Sequence, residues 1–125
     1  MSVPPVLHEL EGQIMAEVWR RDRCTVRDVL EALNSRNAQE RAYTTIMTVM
    51  QRLDAKGLLE RQRDGRHDVY VPLLSRDEYV HARAEAEVTA VIDEYGDVAL
   101  AHFARHLRRL DPTRREQIRR LARGT

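Results

Sequence analysis

The spacing of the apolar residues is the feature that most constrains this chain. From Leu7, the residues Leu10, Ile14, Met15, Val18 and Trp19 recur at intervals of three and four, which lines one face of an α-helix and leaves polar side chains opposite. This predicts a first helix ending near Arg20 and Arg21. Thr25 offers an N-cap to a short second helix carrying Val26, Val29, Leu30 and Leu33, with Asn34, Ser35 and Asn37 as a polar stop. A third stripe, Ile46, Val49, Met50 and Leu53, predicts a helix over about Thr44 to Lys56. Lys56 suits its negative end, and Gly57 suits a left-handed cap. The period then falls to two: Leu58 to Arg63 and His67 to Val71 read as strands, joined across the hairpin dipeptide Asp64-Gly65.

After Pro72, Ser75 and Glu78 have the spacing of a capping box for a long helix through Tyr95. Its apolar stripe is Tyr79, Ala82, Ala86, Val88, Val91, Ile92 and Tyr95. Gly96 breaks it, a helix from about Asp97 to Leu110 follows, and Asp111 with Pro112 starts a last helix to Arg123. The last two helices carry Leu100, Phe103, Leu107, Leu110, Ile118 and Leu121 with little else to bury them. A second copy of the chain is the expected cover, so residues 75–125 read as a helical dimerisation domain, with Val91, Ile92 and Tyr95 joining those six in the contact. The alternative is a monomer whose arm folds back on the first 72 residues.

Length and composition narrow the function classes. The chain has 125 residues, 42% hydrophobic and 33% charged, enough for one domain with an appendage. Aromatics are 5%, so Leu, Val, Ile, Met and Ala must build the core, which favours helices. The single cysteine, Cys24, excludes an internal disulfide and a thiolate-rich metal site and suits a reducing cytoplasm. No apolar run approaches the roughly 20 residues that span a bilayer, and Met1 to Pro5 has no signal-segment character, so neither membrane insertion nor export is expected. Charge alternates along the chain. Residues 36–66 hold seven basic against four acidic side chains, residues 76–97 two against seven, and residues 105–123 eight against two. The basic first block suits phosphate, and the two later blocks could pair across a subunit contact.

Three helices followed by a hairpin is the order of a winged helix-turn-helix domain, placed here at residues 1–74, with a two-stranded β wing. The fold class is mainly α. In that plan the third helix enters the major groove of double-stranded DNA and the wing meets the backbone. Thr44, Met47, Thr48, Gln51 and Arg52 project from the third helix opposite its apolar stripe, and Arg63, Arg66 and His67 lie at the wing tip. Threonine can read base edges or thymine methyls, glutamine pairs with adenine, and arginine reaches phosphate or guanine.

The run from Thr44 to Leu59, with Gly65-Arg66 and Tyr70-Val71-Pro72, closely resembles the recognition helix and wing of the BlaI/MecI family of penicillinase repressors. Leu10-Glu11, Ile14-Met15 and Val18-Trp19 are similar to that family's first helix, and Ser75 to Tyr79 to the start of its arm. The resemblance implies a homodimeric repressor on dyad operators, often built from TACA and TGTA half-sites. It implies base contacts by Thr44, Met47 and Thr48 and backbone anchoring by Thr45 and Arg52. Met47 departs from the arginine of the staphylococcal members, and methionine cannot form arginine's paired contact to guanine. The resemblance further implies inactivation by a membrane sensor protease, triggered by a β-lactam, that cuts the arm at an Asn-Phe bond. The matching bond here is His102-Phe103, where Phe103 fits and His102 does not. A cut there removes 23 residues.

Other readings have less behind them. A copper-responsive branch of this fold relies on C-terminal cysteines, and none follows Cys24. His102 and His106 have helical chelate spacing without a third ligand, so no metal is expected. No phosphate-cradling glycine loop or nucleophile elbow occurs, so neither an enzyme nor a cofactor is expected. Cys24 reads as a small core residue. A regulator that senses a small ligand at the dimer interface and a winged helix that binds only protein remain as alternatives; a cavity between arm and wing would favour the first, and a flat salt response of duplex binding the second.

Overall fold

The computed structural model describes residues 3–36 and 39–124. The elements in order are α1 (Glu9–Arg21), α2 (Val26–Arg36), α3 (Tyr43–Ala55), β1 (Leu59–Asp64), β2 (His67–Pro72), α4 (Arg76–Tyr95), α5 (Asp97–Arg108) and α6 (Pro112–Arg123). The chain divides into two compact units, Met1–Ala84 and Glu85–Thr125, here called head and arm. The division falls inside α4, not at the expected 74/75 boundary, because Tyr79 packs against the core of the head.

Local chemistry explains the element ends. The His8 amide donates to the Glu11 carboxylate at 3.1 Å, so α1 starts at Glu9 and the approach from Leu7 is not helical. At α2 the Asp28 amide donates to the Thr25 hydroxyl and the Thr25 amide to the Asp28 carboxylate, the reciprocal box that the spacing of threonine and an acid three residues on permits. The helix runs on to Arg36; Asn37, expected in the polar stop, lies outside the described residues. Ser75 with Glu78 and Asp111 with Arg114 cap α4 and α6 as their sequences predict. Helix α3 closes through Gly57 at φ +83°. The Leu58 amide reaches the Leu53 carbonyl and the Gly57 amide the Asp54 carbonyl, both at 3.0 Å, the paired pattern that satisfies the last carbonyls of a helix.

The hairpin is antiparallel, with Leu59 opposite Pro72 and Asp64 opposite His67. Its loop is therefore Gly65-Arg66, one residue later than Asp64-Gly65. Gly65 has φ +64° and Arg66 does not enter the positive region, so the glycine takes the first central position of a turn that needs positive φ only there. Cys24, between α1 and α2, exchanges backbone hydrogen bonds with Tyr70 of β2 at 3.1 and 2.8 Å, which ties the wing to the helices. The core of the head joins Ile14, Met15 and Val18 of α1, Val29 and Leu33 of α2, Ile46, Met50 and Leu53 of α3, and Leu58, Leu59 and Tyr70.

Two charged residues of α1, Glu11 and Glu17, are buried among the described residues. Glu17 of α1 is fully buried, paired with Arg36 at the end of α2 and with Arg20 and Arg21 at 2.6 and 3.6 Å. A buried carboxylate persists when cations offset its lost hydration, so this site joins the end of α2 to α1.

In the arm, Ala99 is the one buried residue among those described. Val88, Val91, Tyr95, Val98, Leu100, Phe103, Leu107 and Leu121 are exposed, while Ile92, Leu110 and Ile118 are half-buried. The arm does not enclose a core within one copy.

Candidate nucleic-acid interface

Helix α3 presents two faces. Ile46, Val49, Met50 and Leu53 are buried in the head, which leaves Thr44, Thr45, Thr48, Gln51 and Arg52 exposed on the other side. Met47 does not project with them. It is half-buried and packed on the core, because its position on the helix lies between the two faces. The first turn of α3 follows Ala42, whose side chain makes no capping hydrogen bond; the Thr45 amide turns back to the Ala42 carbonyl at 3.1 Å.

A cleft of about 500 Å³ runs between α2, α3 and the wing, and brings Met47 and Gln51 together with Arg66 and His67. Arg66 and His67 are exposed at the wing tip. Arg63 is also exposed, but its guanidinium lies 3.8 Å from Asp68, which also faces Arg61 at 4.0 Å. The wing thus neutralises part of its own charge. Two residues beside this cleft carry no sequence signal of the kind used above. The Arg27 guanidinium of α2 stands 5.5 Å from the centroid of the Tyr43 ring at the start of α3, a cation–π distance. A helix start placed at Thr44 leaves Tyr43 in a connection, and tertiary packing is what brings Arg27 to its ring. Arg23 is tethered to the wing through Asp64 at 2.9 Å.

Three contacts position α3 and its base. Asn34 and Arg41 exchange side-chain and backbone hydrogen bonds at 3.1 and 2.7 Å across the connection from α2. Lys56, just after α3, pairs with Glu11 of α1 at 2.7 Å. Burial pushes the Glu11 carboxyl upward, but Lys56 and the His8 amide outweigh it and hold the group below its ordinary value. Burial, aided by Asp28, pushes the Cys24 thiol up to about 11, so it remains a protonated thiol at neutral pH.

The other candidate residues lie in the arm. His102 and Phe103 stand within α5 on an apolar groove of about 360 Å³ that also takes in Val91, Tyr95 and His106. Among the described residues, no group of three or more His, Cys, Asp or Glu side chains is placed to share a metal ion, and no described helix is long and apolar enough to cross a membrane.

Residues 7–123 match the family model described as "Penicillinase repressor". The chain belongs to the penicillinase repressor family. Within similar proteins, the transcriptional regulator BlaI of Mycobacterium tuberculosis is 42% identical over 100 residues, covering 78% of this chain and 70% of that protein. A penicillinase repressor of Bacillus licheniformis is 24% identical over 86 residues, covering 69% of this chain and 66% of its own length. Among solved structures, the DNA-binding domain of the repressor BlaI matches with a TM-score of 0.52 at 26% identity, covering 62% of this chain and 92% of that domain. The monomeric form of Bacillus licheniformis BlaI in complex with the blaP half-operator matches with the same score and identity, over 63% of this chain and 94% of that one. This family member is mainly helical, and its head has the winged-helix fold.

Proposed function

We propose that this protein is a sequence-specific DNA-binding transcriptional repressor that acts in the cytoplasm as a homodimer on dyad operators. The observation that carries the reading is the exposed polar face of α3 beside the cationic wing tip, on the head of a penicillinase repressor family member. Thr44, Thr48 and Gln51 face base edges in the major groove, and Arg52 and Arg66 take phosphates. Thr45 lies at the backbone beside them. Met47 supports the helix from its half-buried position and offers the groove no paired contact to guanine. The exposed apolar face of the arm supports dimerisation, because a monomer would leave Val91, Tyr95, Leu100, Phe103, Leu107 and Leu121 in water.

Release by a membrane sensor protease follows from the same reading. Scission at His102-Phe103 would remove Leu107, Leu110, Ile118 and Leu121 together with Phe103, and separate heads would lose the effective concentration that joins them. The bond lies inside α5, so local opening must precede cleavage.

The test is selection of duplexes from a random pool by the purified chain at two salt concentrations. A two-fold dyad with half-sites about one helical turn apart, bound more weakly at higher salt, is the expected result. Absence of enrichment with salt-insensitive binding would overturn the reading and favour a protein partner for the winged helix.

A further inference from the structure

The segment before α1 lies outside α3 and the wing in sequence, yet it is held in place. The Tyr79 hydroxyl of α4 donates to the Pro5 carbonyl at 2.7 Å, and the Arg83 guanidinium to the Pro4 carbonyl at 3.1 Å. The donors stand four residues apart, on one face of the helix, and the acceptors are consecutive carbonyls. Adjacent prolines have restricted φ, so less entropy is lost in holding them there. On the same root of α4, the Tyr79 ring lies 5.4 Å from the Trp19 ring of α1, and the Trp19 indole N–H donates to the Leu74 carbonyl at 2.9 Å. Val3 and Val6 remain 58% and 56% exposed, while Pro4 and Pro5 are half-buried and Leu7 packs on the core of the head, so the two hydrogen bonds act together with apolar contact in holding the segment.

We infer that Pro4, Pro5, Trp19, Tyr79 and Arg83 form a clamp that roots α4 in the head and thereby sets which half-site spacing the dimer accepts; this rests on the repressor reading above. All five lie outside the exposed face of α3 and outside the wing. The buried core of the head is drawn from α1, α2, α3, Leu58, the hairpin and Cys24, and neither proline belongs to it. Helix α4 is the covalent route from each head to the residues beyond Ala84. A loosely rooted α4 would let two joined heads accept a range of separations, whereas a clamped one favours the separation its geometry matches, where effective concentration is greatest. The five residues are positioning residues, and they select operator length and not base sequence.

The experiment uses the full chain, the dyad recovered by duplex selection, its isolated half-site, and the same dyad lengthened by about two base pairs. Two variants are compared with the parent: Tyr79→Phe, which keeps the ring against Trp19, and deletion of residues 2–6. Half-site affinity is expected to stay within about twofold, while preference for the original over the lengthened dyad falls about tenfold in the deletion and about threefold in Tyr79→Phe. An unchanged preference in both variants overturns the clamp. Loss of half-site affinity in both also overturns it, since the contacts would then maintain the reading surface itself. A parent that binds the half-site but accepts both dyads equally sinks the clamp alone; a parent that binds no half-site sinks the repressor reading and the clamp with it.

Discussion

Two glycine-to-alanine substitutions in the head should shift stability in opposite directions, and backbone geometry sets both signs. Gly57 closes α3 at φ +83°, and a Cβ built on it meets nothing within 4 Å. The substitution therefore introduces no clash, and its cost is that of an L-residue in the left-handed region, about 1–2 kcal/mol. Alanine also narrows the unfolded ensemble, which returns about 0.4–1 kcal/mol. The net expectation for Gly57→Ala is a loss of about 1 kcal/mol. Gly12 lies inside α1, outside the positive-φ residues, and its added Cβ likewise meets nothing within 4 Å. Alanine there keeps the helical backbone and removes the entropic weakness of glycine, so Gly12→Ala should gain about 0.5–1 kcal/mol. Trp19 is the single tryptophan and sits in the head, so urea titration followed by its fluorescence, at fixed protein concentration, reads both variants. A Gly57→Ala protein as stable as the parent, or a Gly12→Ala protein less stable than it, would refute the argument.

Further outcomes concern binding, assembly and titration. Arg52→Ala should weaken binding to all duplexes and reduce the slope of log affinity against log salt by about 1, whereas Thr48→Val should change base preference, measured on the selected dyad and its point variants. Deleting residues 103–125 should raise the dimer dissociation constant in sedimentation and lower dyad affinity by about 10²–10⁴-fold while half-site affinity stays the same; an unchanged dissociation constant removes the arm from assembly. The Glu11 carboxyl is held below its ordinary value of 4.5, so its pairing with Lys56 stabilises the fold above that pH and is lost as pH falls through the lower folded value. Glu11→Gln should flatten that part of an acid unfolding profile. With its thiol raised to about 11, Cys24 should react with a disulfide reagent at pH 8 only after denaturant opens the head; equal rates in folded and unfolded protein would contradict its burial.

Much of the architecture was legible in the residues themselves. Three- and four-residue apolar spacing marked the helices, and Thr25, Ser75 with Glu78, and Asp111 with Pro112 marked three helix starts, because caps and stripes act over one or two turns of chain. The outward face of α3 followed from the same periodicity, and so did the unburied apolar face of the arm. Whether Met47 belonged to that outward face did not follow, since a residue between two faces turns inward or outward according to what packs beside it. The wing loop moved by one residue because strand register, not the Asp64-Gly65 dipeptide, decides which pair occupies the turn.

Sequence alone determined the order of helices and hairpin, their principal caps and the family resemblance, because these depend on local spacing. Tertiary structure alone decided that Glu17 is buried among arginines, that Arg27 stands over Tyr43, that Cys24 pairs with Tyr70, and that Pro4 and Pro5 are held by α4. Each joins residues from separate elements, whose encounter depends on how the elements pack. A charged residue in an amphipathic helix reads as solvated until cations from elsewhere in the fold close over it.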